Sequence, residues 1–201
     1  LFNNTGSLIG ETGTVALNGG GASAGLFTNL AGATIKFSGG THTLDSGAGF
    51  SGAGTNLIDG GTVNVRADAT VPAVGTFALA TGTLGGTGTL RVTAGGQFLW
   101  TGGTMDGTTG RTVIASGASL LASTIADKDL RRILDNYGIL TWTGGRIIGH
   151  STPVLNNYSG ALMDVQVDAT LFESGDGTEK TFNNSGTLRK SAGTGQSSFN
   201  G

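Results

Sequence analysis

Large apolar residues return along the chain at a fixed interval of 21 positions. One column at this spacing contains only large apolar side chains: Phe37, Ile58, Leu79, Trp100, Leu121, Trp142 and Met163. A second column, offset from the first, is equally uniform: Phe50, Val71, Val92, Val113, Leu134 and Leu155. Because two independent columns keep one period over most of the chain, the pattern indicates a repeat architecture in which successive coils stack on each other.

Each repeat contains three short stretches in which apolar and polar residues alternate, as in Phe98 with Trp100, Val63 with Val65, and Leu90 with Val92. Alternation with a period of two places apolar side chains on one side of a strand. Three such strands per coil, separated by glycine-rich turns, predict an all-β fold, a parallel β-helix or β-solenoid of about nine coils. The usual handedness of parallel crossovers favours a right-handed helix. We expect residues 1–201 to form a single β-solenoid domain.

Gly-Gly-Thr turns mark the boundaries between coils, as at 60–62, 102–104 and, for the glycine pair alone, 144–145. Counting from these turns leaves surplus residues at 19–25 and 173–180. We expect both surplus segments to form surface loops, because insertions in a solenoid are accommodated outside the stacked strands.

Two further columns consist of turn residues. Asparagine is repeated at Asn4, Asn136, Asn157 and Asn184, and we expect the same level to hold Ala73, Ala94 and Ala115 in the middle coils. Stacked amides can form hydrogen bonds from coil to coil. Glycine is repeated at Gly6, Gly54, Gly75, Gly96, Gly117, Gly138 and Gly186. Since glycine alone adopts a positive φ at no steric cost, this column predicts left-handed turn positions.

The composition narrows the fold class and the range of partners. The chain has 39 Gly, 2 Pro and only 12% charged residues, which argues against long helices. Its 37% of hydrophobic residues is too many for a disordered chain. A net charge of −2 gives no electrostatic footprint for nucleic acid, and no apolar run is long enough for membrane insertion. Zero Cys excludes disulfides and thiolate metal sites, and we expect no cofactor.

Tyr137 and Tyr158 are the candidate ligand-binding residues. They are 21 positions apart and should therefore lie on neighbouring coils beside the asparagine turn. Stacked, exposed aromatic rings suit contact with a sugar or a peptide. Ring stacking as a purely structural feature of the ladder accounts for them equally well.

A charged segment at 126–135 interrupts the Gly-Gly-Thr pattern and is the nearest candidate for a catalytic site. The 21-residue spacing would align Asp106 with Asp127, and Asp129 with His150, on adjacent coils. Many β-helical enzymes that act on polysaccharides use clustered carboxylates. The alternative is a short helical or bulged excursion whose charges pair with each other and with water, and the composition of the segment favours this alternative.

The Asn-Asn-x-Gly turns, with Phe2, Leu155 and Phe182 before them, and the Gly-Gly-Thr-Val strands resemble repetitive β-helical surface proteins of bacteria, such as large adhesins and autotransporter passengers. The resemblance implies a secreted or cell-surface stalk that carries adhesive regions, and hence an extracellular or cell-surface location. The chain opens and closes inside a repeat, so we expect a segment of a larger protein whose neighbouring segments are its first partners.

The sequence therefore favours a non-catalytic structural or adhesive segment that acts as a rigid stalk. A glycan or a receptor on a host or cell surface is the expected external partner. The alternative hypothesis is a glycan-binding or glycan-cleaving β-helix of the tailspike or polysaccharide-lyase type.

Overall fold

The computed structural model describes residues 1–173 and 176–200, and in these ranges strands are the only regular elements. The first three coils contain β1 (Ser7–Gly10), β2 (Thr14–Leu17), β3 (Gly21–Ser23), β4 (Leu26–Asn29), β5 (Thr34–Phe37), β6 (Thr41–Leu44), β7 (Gly49–Ser51), β8 (Thr55–Ile58) and β9 (Thr62–Val65). The next three contain β10 (Ala69–Val71), β11 (Thr76–Leu79), β12 (Thr83–Gly85), β13 (Thr89–Val92), β14 (Gln97–Trp100), β15 (Thr104–Met105), β16 (Arg111–Ile114), β17 (Ser119–Ala122) and β18 (Lys128–Leu130). The last three contain β19 (Ile133–Asn136), β20 (Ile139–Trp142), β21 (Ile147–Gly149), β22 (Val154–Asn157), β23 (Leu162–Val165), β24 (Thr170–Leu171), β25 (Thr181–Asn184), β26 (Thr187–Lys190) and β27 (Ser198–Phe199).

Every third strand lies on the same face of the solenoid. The first face consists of the three-stranded sheet β1-β4-β7 and the six-stranded sheet that runs from β10 to β25. The second face is the nine-stranded sheet from β2 to β26, and the third face is the nine-stranded sheet from β3 to β27. All pairings are parallel between coils, for example Thr76 with Gln97. The predicted β-solenoid of about nine coils, with three strands in each coil, is confirmed.

Stacked apolar side chains fill the interior of the solenoid. On the second face Trp100, Ala122 and Trp142 occupy one inward-facing row, so that the two tryptophans lie two coils apart. Both tryptophans are fully buried. Beside them runs a line of phenylalanine rings, Phe27, Phe50, Phe77 and Phe98, whose successive centroids are 5.9, 5.1 and 5.6 Å apart. The tryptophan row agrees with a predicted column, whereas the phenylalanine line does not, because its rings are 23, 27 and 21 residues apart and pass from the first face to the second.

The register departs from a strict 21-residue count in the second half of the chain. Leu121 was predicted in the tryptophan row, but Ala122 pairs with Trp100 and Leu120 faces the core one position earlier. The same one-residue shift replaces Val113 with Ile114 in the valine row. Trp142 returns to its predicted place, and Val165 then replaces Met163 in the tryptophan row, a shift of two residues. The shifts at Ile114 and Ala122 follow from a longer turn between β15 and β16, which adds one residue before the strand resumes. The shift at Val165 follows from the turn between β22 and β23, which is two residues longer than that between β19 and β20. The stacking depends on strand pairing, and the turns absorb the difference in length.

Of the two predicted surface loops, the one near the N-terminus is wrong. Residues 19–25 include β3, which pairs with β6, and thus supply a complete strand of the first coil. The prediction for 173–180 agrees with the described part of that segment, which contains no strand at 173 and 176–180. Residues 174 and 175 lie outside the described residues.

The predicted asparagine ladder is present at three of its four positions. The Nδ2 of Asn136 donates to the Oδ1 of Asn157 at 2.8 Å, and that of Asn157 donates to Asn184 at 2.7 Å. Asn4 instead lies level with Ser23 on the third face. The alanines expected below the ladder are also misplaced, since the row continues with Val71, Val92 and Ile114. A buried polar ladder thus continues an apolar row, and its amides satisfy each other.

The predicted glycine column has a different physical cause from the one expected. Only Gly117 of its seven members has a positive φ (78°). At Gly138 a Cβ atom would collide with the carbonyl oxygens of Ala115 and Ala118 in the coil below. Gly186 meets the carbonyl oxygens of Tyr158 and Ala161 in the same way. Glycine is needed there because the backbone of one coil comes too close to that of the next.

Replacing Gly138 with alanine should lower the free energy of unfolding by about 1–3 kcal/mol, because the added methyl group forces the two coils apart. Gly6→Ala is the matched control: Gly6 occupies the same motif position, but its Cβ would have no atom within 4 Å. Chemical denaturation followed by circular dichroism measures both variants. Equal stability of Gly138→Ala and Gly6→Ala would contradict the close-approach explanation.

Candidate functional site

The two candidate tyrosines stack directly on each other on the first face of the solenoid. Each follows the last residue of a strand, Tyr137 after β19 and Tyr158 after β22, and each backbone N–H donates to the preceding coil. Their ring centroids are 4.1 Å apart and the ring planes differ by 2°. Tyr137 is 40% exposed. The sequence therefore correctly predicts that the two rings are adjacent, and their role in ligand binding stays a prediction.

The outward side chains of the first face form a grid around these rings. Side chains two positions apart in a strand point outward together, and strand pairing aligns them from coil to coil. Four successive coils contribute three outward positions each: Thr89, Arg91 and Thr93; Arg111, Val113 and Ala115; Ile133, Asp135 and Tyr137; and Val154, Asn156 and Tyr158. The tyrosines thus continue a row that contains Thr93 and Ala115 in the two coils before them.

A carboxylate lies beneath the hydroxyl edge of the tyrosine pair. Asp135 is only 2% exposed although it points outward. Its Oδ1 accepts from the Nδ2 of Asn156 at 2.8 Å and from the hydroxyl of Tyr158 at 3.3 Å, and its Oδ2 accepts from Arg111. The hydrogen bond from the Tyr158 hydroxyl to Asp135 shows that the rings lean across the sheet toward Arg111.

The charges of this cluster shift two pKa values. The Asp135 carboxylate raises the pKa of Arg111. A hydrogen bond with the Tyr137 hydroxyl raises the pKa of Tyr158 to about 12, with smaller contributions from burial and from the Asp135 charge. At neutral pH Arg111 is a cation and Tyr158 keeps its phenolic proton. The surface therefore combines two stacked aromatic rings with a guanidinium and a carboxylate at their hydroxyl edge.

Sequence reasoning missed Arg111 and Asp135 as members of this cluster. A strict 21-residue count would place Asp135 level with Ile114, which points inward, whereas strand pairing aligns Asp135 with Val113. The alternation of Asp135 and Tyr137 was the available signal, because residues two apart in a strand share a side.

The charged segment at 126–135 does not form the arrangement that the spacing predicts. Asp106 and Asp127 are not aligned, because Met105 pairs with Leu130 and the register shifts by four residues. Asp127 instead binds the guanidinium of Arg146, which lowers the pKa of its carboxyl group. The segment is also not helical, since it contributes strand β18 to the third face.

Asp129 and His150 do meet, as predicted. The Nδ1 of His150 is 2.8 Å from the Oδ1 of Asp129, and the Nε of Arg131 donates to the Oδ2 of the same carboxylate at 2.8 Å. Both carboxylate oxygens are therefore already engaged. Ser151 and Thr152, which follow the histidine, both have a positive φ of 57°. The arrangement is one carboxylate paired with two cationic or polar groups rather than a pair of carboxylates suited to glycoside cleavage.

Two cations from this segment are fully buried inside the solenoid, a feature that the sequence did not predict. The Nζ of Lys128 donates to the carbonyl oxygens of Ala126 at 2.7 Å and Gly144 at 2.9 Å. Arg132 donates to the carbonyl oxygens of Gly88 and Arg111. Burial lowers the pKa of Lys128 to about 8 and that of Arg132 to about 10. Both side chains act inside the fold, away from any external ligand.

The described part of the chain contains neither a metal-binding cluster nor a membrane-spanning helix. Within residues 1–173 and 176–200, no group of three or more His, Cys, Asp or Glu side chains could hold a metal ion. The same ranges contain no helix that is long and apolar enough to span a membrane. No family model, curated protein or solved structure matches the chain.

Proposed function

We propose that this chain is a rigid, non-catalytic segment of a large secreted or cell-surface protein, and that it acts as a stalk with an adhesive face. The observation that carries this proposal is the continuous core. On the second face, one inward-facing row runs through eight coils from Leu17 on β2 to Val165 on β23 without a polar residue, and the row beside it is interrupted only by the buried Asn56 between β2 and β23. In the described residues each coil pairs with its neighbours on at least two of the three faces, which favours a stack that behaves as one rigid body.

The pairing of the charged residues supports a role without catalysis. In the segment at 126–135, Asp127 and Asp129 are engaged by arginine and histidine side chains, and Lys128 and Arg132 are turned into the core. A retaining or inverting glycosidase needs two carboxyl groups across the bond that it cleaves. Here each of these two carboxylates is bound by an arginine, Asp127 by Arg146 and Asp129 by Arg131.

Two experiments test this function. Antibodies raised against the chain should label intact cells of the source organism; labelling only after lysis would contradict a surface location. The purified chain should leave a panel of bacterial and plant polysaccharides uncut. Cleavage of any of them, abolished by Asp129→Asn or His150→Ala, would show that the chain is an enzyme.

Glycan binding is the second candidate function, and the tyrosine stack is the specific observation that favours it. Parallel rings with a polar edge bind sugars through contacts between C–H groups and the ring face. On a glycan array we expect the chain to bind a restricted set of glycans, and Tyr137→Ala and Tyr158→Ala to lose that binding. Ile125→Ala, at an exposed position on another face, is the control that should bind normally. Binding that survives in both tyrosine variants would rule out this surface.

A further inference from the structure

Tyr137 is 40% exposed and, among the described residues, stacks on a ring on one side only. Tyr158 covers the side toward the following coil, with the rings parallel to within 2°. On the side toward the preceding coil, the same row contains Ala115 and then Thr93. Neither residue has a ring, so the ladder stops at Tyr137 and leaves space above Ala115. Coils repeat at about 4.8 Å, which is within the distance at which flat rings stack.

The floor and the edges of this space have different chemistry. Val113, which lies beside Ala115 on the same strand, is only 3% exposed, so the apolar surface available to a ligand here is the half-buried methyl group of Ala115. Arg111 borders the space on the side toward which the tyrosine rings lean, and its charge is matched by Asp135. Asp135 itself is covered, so the negative charge nearest to the space is screened by a cation.

A second guanidinium borders the space without a matching acid. Arg91 is one coil before Val113 and pairs with it in register, so both side chains point outward in the same row. Arg91 is exposed, and among the described residues its side chain makes no hydrogen bond and no ion pair. An unmatched guanidinium beside a free aromatic face favours a ligand whose ring carries a carboxylate, because this is the group that the planar guanidinium binds best.

We propose that a carboxylate-bearing pyranose, such as a uronic or sialic acid residue of a glycan, binds above Ala115. Its ring lies against the free face of Tyr137, in the place that a third tyrosine of the ladder would take, and its carboxylate binds Arg91. The methyl group of Ala115 contacts the apolar edge of the sugar. This inference rests on the glycan-binding candidate above and names its ligand class and its subsite.

Titration calorimetry with three acidic oligosaccharides tests the proposal: tetragalacturonate, a hyaluronan hexasaccharide and disialic acid. Each is paired with its methyl-esterified form, which keeps the shape and removes the charge. We expect at least one acid to bind, and its ester to bind about tenfold or more weakly. Arg91→Gln should weaken the acid by a similar factor and abolish the preference, whereas Arg66→Gln, another exposed arginine, should change neither.

Ala115→Tyr is the sharpest variant, because it keeps Tyr137 and fills the proposed subsite with a third ring. It should extend the ladder by one ring. Both Ala115→Tyr and Tyr137→Ala, each made separately, should lose the binding. Circular dichroism and thermal unfolding of both variants confirm that the solenoid is intact. Normal binding in Ala115→Tyr, or no binding of any acidic probe by the unaltered chain, would overturn the proposal. Equal binding of acid and ester that is lost in Tyr137→Ala would overturn the acidic subsite and leave glycan binding in place.

Discussion

Replacing Trp142 with alanine is expected to lower the free energy of unfolding by about 3–5 kcal/mol, the largest effect of any single change proposed for this chain. Trp142 is fully buried in the row that also contains Trp100, and its indole lies between Ala122 and Val165 of the adjacent coils. The small neighbour Ala122 cannot fill the cavity that alanine would leave. Urea denaturation followed by circular dichroism measures the loss.

Two comparisons separate the packing of Trp142 from other effects. Ile125→Ala removes a large side chain that is 95% exposed, and its stability should stay within about 0.5 kcal/mol of the unaltered chain. Phenylalanine at each tryptophan tests the hydrogen bonds, because the Nε1 of Trp142 donates to the carbonyl oxygen of Gly145 at 2.8 Å, whereas that of Trp100 is buried without a partner. Trp142→Phe should therefore cost about 1 kcal/mol more than Trp100→Phe. A small effect of Trp142→Ala would mean that the row is loosely packed.

The spacing of apolar residues predicts the architecture because strand pairing in a solenoid makes residues one coil apart into direct neighbours. Phe37, Ile58, Leu79 and Trp100 are stacked as their spacing of 21 residues requires. The spacing fails at Ala122 and again at Val165, because a fixed interval cannot detect turns of different length, although Trp142 between them is in the predicted place. Before Ala122 the sequence offers Leu120 and Leu121 equally as core residues, and only the pairing of β17 with β14 decides between them.

The candidate site is predictable only in part, for a related reason. The aromatic pair is visible from its spacing alone, because both tyrosines follow the asparagine ladder by one residue. Arg111 and Asp135 belong to the cluster through pairing across coils whose separation has changed from 21 to 22 residues between Val113 and Asp135. The glycines pose the same problem. The sequence reveals where glycine recurs, whereas the close approach of coils at Gly138 is visible only in the structure.

The burial of Lys128 on β18 could not be predicted from the charge content of the sequence. This burial predicts how the free energy of unfolding changes with pH. Burial lowers the pKa of Lys128 from the ordinary 10.5 to about 8 in the folded chain. Below pH 8 the amine is protonated in both the folded and the unfolded states, and it contributes no pH dependence. Between about pH 8 and 10.5 the unfolded chain binds the proton and the folded chain does not. The free energy of unfolding therefore rises with pH in this window.

The expected gain is about 2–3 kcal/mol between pH 7 and pH 10, at about 1.4 kcal/mol for each pH unit between the two pKa values. Comparison with Lys128→Met isolates it, because other titrating groups contribute equally to both proteins and cancel in the difference. The lost hydrogen bonds to Ala126 and Gly144 give that variant a cost that does not change with pH. Leu130→Met, at a neighbouring inward position without a charge, should differ from the unaltered chain by a constant amount across the range. A constant difference for Lys128→Met as well would mean that the ammonium group is hydrated, and that the core of the sixth coil is open to water.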